Sequence, residues 1–284
     1  MNIQKKRRVT NFIALTLSSL AALSGLFWLV FILADVLING VRGISLDLFL
    51  QDPAPPGMEG GGLRNAFVGQ LMITAVATLI GVPVGVLGGT FLAEYARGRK
   101  LSRIISIVSD IMVSVPSIVV GTFVYAILVK PFGHFNGWAG AVALAIIMIP
   151  VVLRTTEDML SMVPWSLREA AFALGAPYYK VIIQVVYRGA ATGILTGVLL
   201  SIARVAGETA PLLFTSFNNS FFSLNMNEPI ASLTVTIFQY AMGPYESWHA
   251  QAWAASLVIT LFVLFITVLG RIILKLRFGK GNGR

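Results

Sequence analysis

Glu169-Ala170-Ala171-Phe172-Ala173-Leu174-Gly175 is the stretch whose reading decides the fold. Its local signals describe a compact helix with fixed ends. Ser166, followed three residues later by Glu169, has the spacing of a capping box, in which hydroxyl and carboxylate each take an orphan amide at the helix start. Pro164 lies just upstream. Gly175 suits the left-handed conformation that closes a helix, and Pro177 blocks simple continuation. Ala170, Ala171 and Ala173 keep the side chains small, which allows close approach to a groove on another protein. An amphipathic helix lying flat on a bilayer has the same signature, so the choice depends on what surrounds it.

What surrounds it is membrane. Of the 284 residues 56% are hydrophobic and 12% charged, and the mean hydropathy of +0.82 lies far from that of soluble domains. The chain is an all-α, polytopic integral membrane protein. With no cysteine it has neither a disulfide framework nor a thiolate ligand or nucleophile. Its two histidines, His134 and His249, fall in predicted outer loops and read as plain polar residues, so no metal site is expected. No Gly-x-x-x-x-Gly-Lys-Ser/Thr loop occurs, so the usual nucleotide cradle is missing from this chain. No nucleophile and base pair is apparent either, which leaves a transport subunit without a bound cofactor rather than an enzyme.

The net charge of +9 marks topology, not nucleic acid. Lys5-Lys6-Arg7-Arg8, within a short terminus of residues 1–11, precedes an uncleaved first span over residues 12–38, twice the length of a signal core. Residues 39–65, with Asp52-Pro53-Ala54-Pro55-Pro56-Gly57 and Gly60-Gly61-Gly62, read as an irregular outer loop, a connector or a docking surface. A permease core then occupies residues 66–274. Its second span, 66–93, carries Gly81, Gly85 and Gly89 at spacing four, a stripe that lets two backbones come close in lipid. The third, 104–129, is interrupted by Asp110 and Pro116, and Asp110 is expected to face protein or water. The fourth, 138–153, is followed by a polar loop, 154–188, which holds the opening helix. The fifth, 189–217, a polar outer segment, 218–250, the sixth span and a basic tail, 275–284, complete the chain. Lys and Arg fall four, four, four and five on the inner side, against Arg42, Arg64 and Lys130 outside. That bias puts both termini in the cytoplasm.

Arg204 is the one basic residue left within a span, and Glu208 follows it at a spacing that sets both on one helix face, the face of Gly193, Gly197 and Ser201. Two roles fit. The pair locks helices by mutual neutralisation; or Arg204 offers an oxyanion a planar fork of donors while Glu208 orients the fork and keeps binding weak enough for release. Thr209 adds a hydroxyl, and Gly207 and Pro211 loosen the helix around the pair.

With the helix in a cytoplasmic loop between the fourth and fifth of six spans, the chain resembles the permease subunits of type I ABC importers, the MetI-like family. Their loop signature reads Glu-Ala-Ala, three residues, then Gly, which Glu169, Ala170, Ala171 and Gly175 match; the usual Ile-x-Leu-Pro ending is replaced by Val185-Val186-Tyr187-Arg188. Arg204-Val205-Ala206-Gly207-Glu208-Thr209-Ala210-Pro211 and Pro150-Val151-Val152-Leu153-Arg154-Thr155-Thr156-Glu157 make the resemblance specific to the phosphate importers of that family, from the second span to the sixth. The resemblance implies an inorganic phosphate permease paired with a homologous second permease (PstC type), two copies of an ATPase that binds ATP and Mg (PstB type) and an external phosphate-binding protein (PstS type). It also implies that Arg204 and Glu208 line the phosphate path, with Arg154 a candidate at the inner mouth or else a topology anchor. Sulfate or another oxyanion is the alternative substrate, since a guanidinium does not itself distinguish tetrahedral anions. An ion-coupled secondary transporter is the rival class, but it calls for two inverted halves, and Glu208 is the only deeply placed acid.

Overall fold

The computed structural model describes residues 3–58 and 60–278; residues 279–284 of the expected tail, with Lys280 and Arg284, lie outside them. Its main helices are α1 (Ile3–Gly43), α2 (Arg64–Tyr95), α3 (Lys100–Ser114), α4 (Ser117–Phe132), α5 (Gly137–Ser161), α6 (Trp165–Ala173), α7 (Tyr178–Ala206), α8 (Ala210–Thr215), α9 (Leu233–Ala241) and α10 (Glu246–Phe278). Five of them, α1, α2, α5, α7 and α10, are long and apolar enough to cross a membrane, and α3 with α4 passes that test only as a bent pair, a broken span or a re-entrant loop. No strand occurs among the described residues.

The bundle is built around α5, which α2 grips along the glycine stripe. A methyl on Gly85 would lie 2.7 Å from Val152 Cβ, and one on Gly89 would lie 2.5 Å from the Leu153 carbonyl. Gly81 faces Met148 in the same way. Without side chains in the seam the two backbones close up, and packing contacts replace lipid contacts. α7 crosses the other side of α5, with Gly193 against Met159 and Gly197 against Thr155. Ile73, Leu144, Met148, Val152, Val205, Leu212 and Val235 fill the space between these helices.

Three expected spans take a different form. The third is not one straight helix: Val115 and Pro116 are both extended, and α3 and α4 meet at 103°. Proline forces its predecessor out of helical geometry, and α3 lays its polar face on α5 while Ile104, Ile107 and Ile111 stay exposed. The fourth helix runs on to Ser161, and α7 starts at Tyr178, so the chain between them is shorter than the polar loop read from composition. The fifth helix ends at Ala206 rather than Phe217.

Segment 218–250 is not a free polar loop. It turns back into the bundle, where Ile230, Ala231, Leu233 and Val235 are buried and Gly69 admits the Ala231 carbonyl. At nine residues α9 is about 13 Å long, too short to cross and invisible to a span search. Residues 39–65 are likewise folded. A helical turn at Asp47–Leu50 leads to a 2.7 Å ion pair between Asp52 and Arg64, and the Arg64 guanidinium stands 4.5 Å over the Phe222 ring.

Candidate functional site

The N-cap of α6 lies two residues before the expected capping serine. Pro164 (φ −58°, ψ 140°) occupies the N-cap, Trp165 is the first helical residue, and no side chain caps the end. The Ser166 and Glu169 capping box is therefore absent, because the fixed φ of proline sets the helix entry early and leaves Ser166 inside the first turn. The other end matches its sequence signals. Gly175 is left-handed at φ +78°. Its amide donates to the Phe172 carbonyl (2.8 Å) and that of Ala176 to Ala171 (3.2 Å), the paired bonds of a Schellman termination. Glu169, Ala170, Phe172 and Ala173 lie on the exposed side.

The inward side of α6 holds a feature that sequence reasoning missed. Arg168, 2% exposed, forms a 2.6 Å ion pair from Nη2 to Oε1 of Glu94, itself 1% exposed. The rest of the guanidinium is also committed: Nε donates to Glu94 Oε2 (3.4 Å), Nη1 to the Val163 carbonyl (2.5 Å) and Nη2 to the Leu160 carbonyl (3.0 Å). Tyr178 donates to the Glu94 carbonyl at 2.8 Å. Glu94 sits in a π-helical turn, Phe91–Tyr95, that ends α2. A usable signal was present: Glu94 closes an apolar run just before a basic loop, and Arg168 directly precedes Glu169. Arg168 counted only among the basic residues of the inner side, and Glu94 had no reading of its own.

The second locus is the break after α7. Arg204 and Glu208 do not share a helix, because Gly207 ends α7 and Glu208 leaves the cylinder. Nε of Arg204 lies 3.9 Å from Glu208 Oε1, with the side chains 45% and 17% exposed. That distance is a loose Coulombic pairing and too long for a hydrogen bond. Among the described residues the Arg204 guanidinium makes no hydrogen bond, so its five donors are uncommitted. The backbone freed at the break is held by neighbours. Gln70 donates to the Ala206 carbonyl (3.1 Å), Thr234 donates to the Glu208 carbonyl (2.9 Å), and Pro211 packs on Gly121. Broken helices persist at membrane depth only with such partners. A cavity of about 460 Å³ opens beside the break, and its wall includes Gly207, Thr209, Thr234, Ser256 and Thr260 but neither Arg204 nor Glu208.

Arg154 stands apart from both. It holds Asp110 with two bonds, Nε to Oδ1 at 2.8 Å and Nη2 to Oδ2 at 3.1 Å, and Glu157 Oε2 at 2.9 Å. Two carboxylates against one guanidinium leave this cluster net negative, and they tie α3 to α5. Asp110 pairs with Arg154 while its side chain stays 56% exposed. Ser106 completes the cluster, donating to Glu157 at 3.5 Å.

Residues 81–277 match the family model described as a binding-protein-dependent transport system inner membrane component. The "Phosphate transport system permease protein PstA" of Pasteurella multocida is 52% identical over 266 residues, 94% of this chain and 95% of that one. The protein of the same name from Yersinia pestis is 51% identical over 270 residues, 95% of this chain and 92% of its own. A "probable" one from Methanocaldococcus jannaschii is 41% identical over 77% of this chain and 78% of its own. Among solved structures, the MetNI methionine ABC transporter in an inward-facing conformation superposes with a TM-score of 0.62 at 20% identity, covering 75% of this chain and 94% of that one, a likeness of fold.

Proposed function

The chain belongs to the family of binding-protein-dependent transport system inner membrane components, in its phosphate permease branch, and on that premise we propose how its residues carry inorganic phosphate through an ATP-driven importer. It forms half of the passage, beside a homologous second permease. An ATPase dimer, which supplies the ATP and Mg sites, docks on the exposed side of α6 through Glu169 and Ala170, with the part-buried Ala171 seating the helix on the bundle and Gly175 fixing its exit. A phosphate-loaded binding protein delivers from the outer face. Both termini are cytoplasmic, because the Lys and Arg bias of the sequence sets them on the same side as the loop that carries α6.

Arg204 is the anion contact. The observation that carries this is the contrast among the three arginines nearest the bundle's charged clusters. Arg168 and Arg154 are saturated by carboxylates and carbonyls, whereas Arg204 has open donors and one acid at 3.9 Å. A planar fork with free N–H groups suits a tetrahedral oxyanion. Glu208 at that distance neutralises the charge between passages without occupying the donors, which keeps binding weak enough for release. Thr209, in the wall of the adjoining cavity, adds a hydroxyl. Arg154 belongs to helix packing, since an anion there would meet a net negative cluster. Gly81, Gly85, Gly89, Gly197, Gly207 and Pro211 set the packing and the break around which the helices repack.

The test is uptake of labelled phosphate by the reconstituted complex carrying Arg204→Gln. Uptake falls at least 100-fold while the subunits still purify together. Uptake near the unsubstituted rate would return Arg204 to helix locking. Sulfate in excess leaves phosphate uptake unchanged; equal competition would favour a general oxyanion permease.

A further inference from the structure

The coupling segment and the helix break are joined by one element, α2. At one end Glu94 is ion-paired to Arg168 of α6, with both side chains buried. At the other, Gln70 donates to the last carbonyl of α7, Ala206, and to Thr74 Oγ1. The 24 residues between them span about 36 Å of helix. Between these ends the glycine seam on both sides of Pro83 holds α2 against α5, so the two ends of α2 are tied through one packed helix.

We propose that Arg168, Glu94 and Gln70 are positioning residues of one lever: Arg168 and Glu94 clamp α6 to α2, and Gln70 carries the shift of α2 to the break beside Arg204. The clamp is rigid because separating the pair would leave two buried charges uncompensated and would also free the carbonyls of Leu160 and Val163. Glu94 lies in a π-helical turn, whose extra residue lets the end of α2 turn its carboxylate under α6. The far joint is looser by construction. Gln70 Oε1 is buried and, among the described residues, has no hydrogen-bond partner. The bonds Gln70 does make, both from Nε2, are neutral ones, weaker than the charge-assisted bonds of the clamp. Movement there alters the end of α7 two residues from Arg204 and leaves α6 untouched.

This rests on the ATPase docking described above. The assembled transporter is reconstituted with Glu94→Gln, Arg168→Met, both together, or Gln70→Leu, and three quantities are read: ATPase retained, ATP hydrolysis, and phosphate taken up per ATP. Every variant keeps the ATPase bound, and phosphate per ATP falls at least tenfold. The Glu94→Gln and Arg168→Met double variant is no worse than either single one, as expected of a shared interaction. Gln70→Leu, which removes no charge, uncouples to the same extent. Unchanged phosphate per ATP in Gln70→Leu and Glu94→Gln, or losses fully explained by departure of the ATPase, would overturn the lever. An ATPase already missing from the unsubstituted preparation would instead strike the docking assignment itself.

Discussion

A guanidinium within a membrane bundle is defined by what its donors do, and the arginines here divide on that basis. Arg154 neutralises Asp110 and Glu157 across two helices. Arg154→Met leaves Asp110 without a partner and Glu157 with Ser106 alone, and because Asp110 is largely exposed the cost is up to about 1 kcal/mol, which lowers the melting temperature of the purified complex. Arg204→Met removes no hydrogen bond among the described residues but takes away the one loose counter-charge of Glu208, so that temperature falls less than for Arg154→Met while uptake is lost. Thermal aggregation of the two variants side by side checks this; equal destabilisation would erase the distinction. The composition made Arg204 conspicuous as the only basic residue assigned within a span. Its relation to Glu208 was misread because spacing of four implies a shared face only while the helix lasts, and Gly207 ends it. Arg168 was hidden for the opposite reason. Its partner Glu94 is 74 positions away, and no local pattern reports a contact of that range.

At the level of elements, apolar length and glycine spacing identified the membrane helices. The α2 stripe meets α5 so closely that Gly85→Val overpacks the seam against Val152, at about 1–3 kcal/mol. Gly175 is a different case. Nothing lies within 4 Å of an added Cβ, and only its left-handed backbone resists substitution, by about 1–2 kcal/mol for Ala. Gly175→Ala therefore slows phosphate uptake, Gly175→Asn retains most of it because Asn tolerates that conformation, and Gly85→Val mainly reduces the yield of folded complex. Uptake normalised to assembled transporter separates these outcomes; a slowed Gly85→Val with normal Gly175→Ala would reverse the assignment. Hydropathy failed where a helix neither spans nor leaves the membrane. The short length of α9 and the polar residues before it, such as Asn218, Asn219, Asn225, Asn227 and Glu228, concealed a buried return, and Pro116 signalled an interruption without its angle. Span ends were misjudged because a helix need not stop where its apolar run stops.

Over the whole molecule, α1 is about 60 Å long, twice the hydrocarbon thickness, and none of its most apolar window is buried within the chain. Only its last turns pack, where Gly40 and Gly43 meet Leu257 and Ala250 of α10. The compact part comprises α2 to α10, with the docking helix at one end, the broken helix further along and α5 between them as the fixed axis. That arrangement allows a push on α6 to reach Arg204 without unfolding anything. Since the chain has no cysteine, a single Thr209→Cys in the assembled, cysteine-free transporter supplies a probe next to Arg204 that nothing else obscures. Its reaction with an anionic, membrane-impermeant thiol reagent is the most direct measurement of whether this place is an anion path. The thiol reacts, and saturating phosphate slows the reaction at least tenfold. A thiol modified only by lipid-soluble reagents, at a rate indifferent to phosphate, would contradict the account.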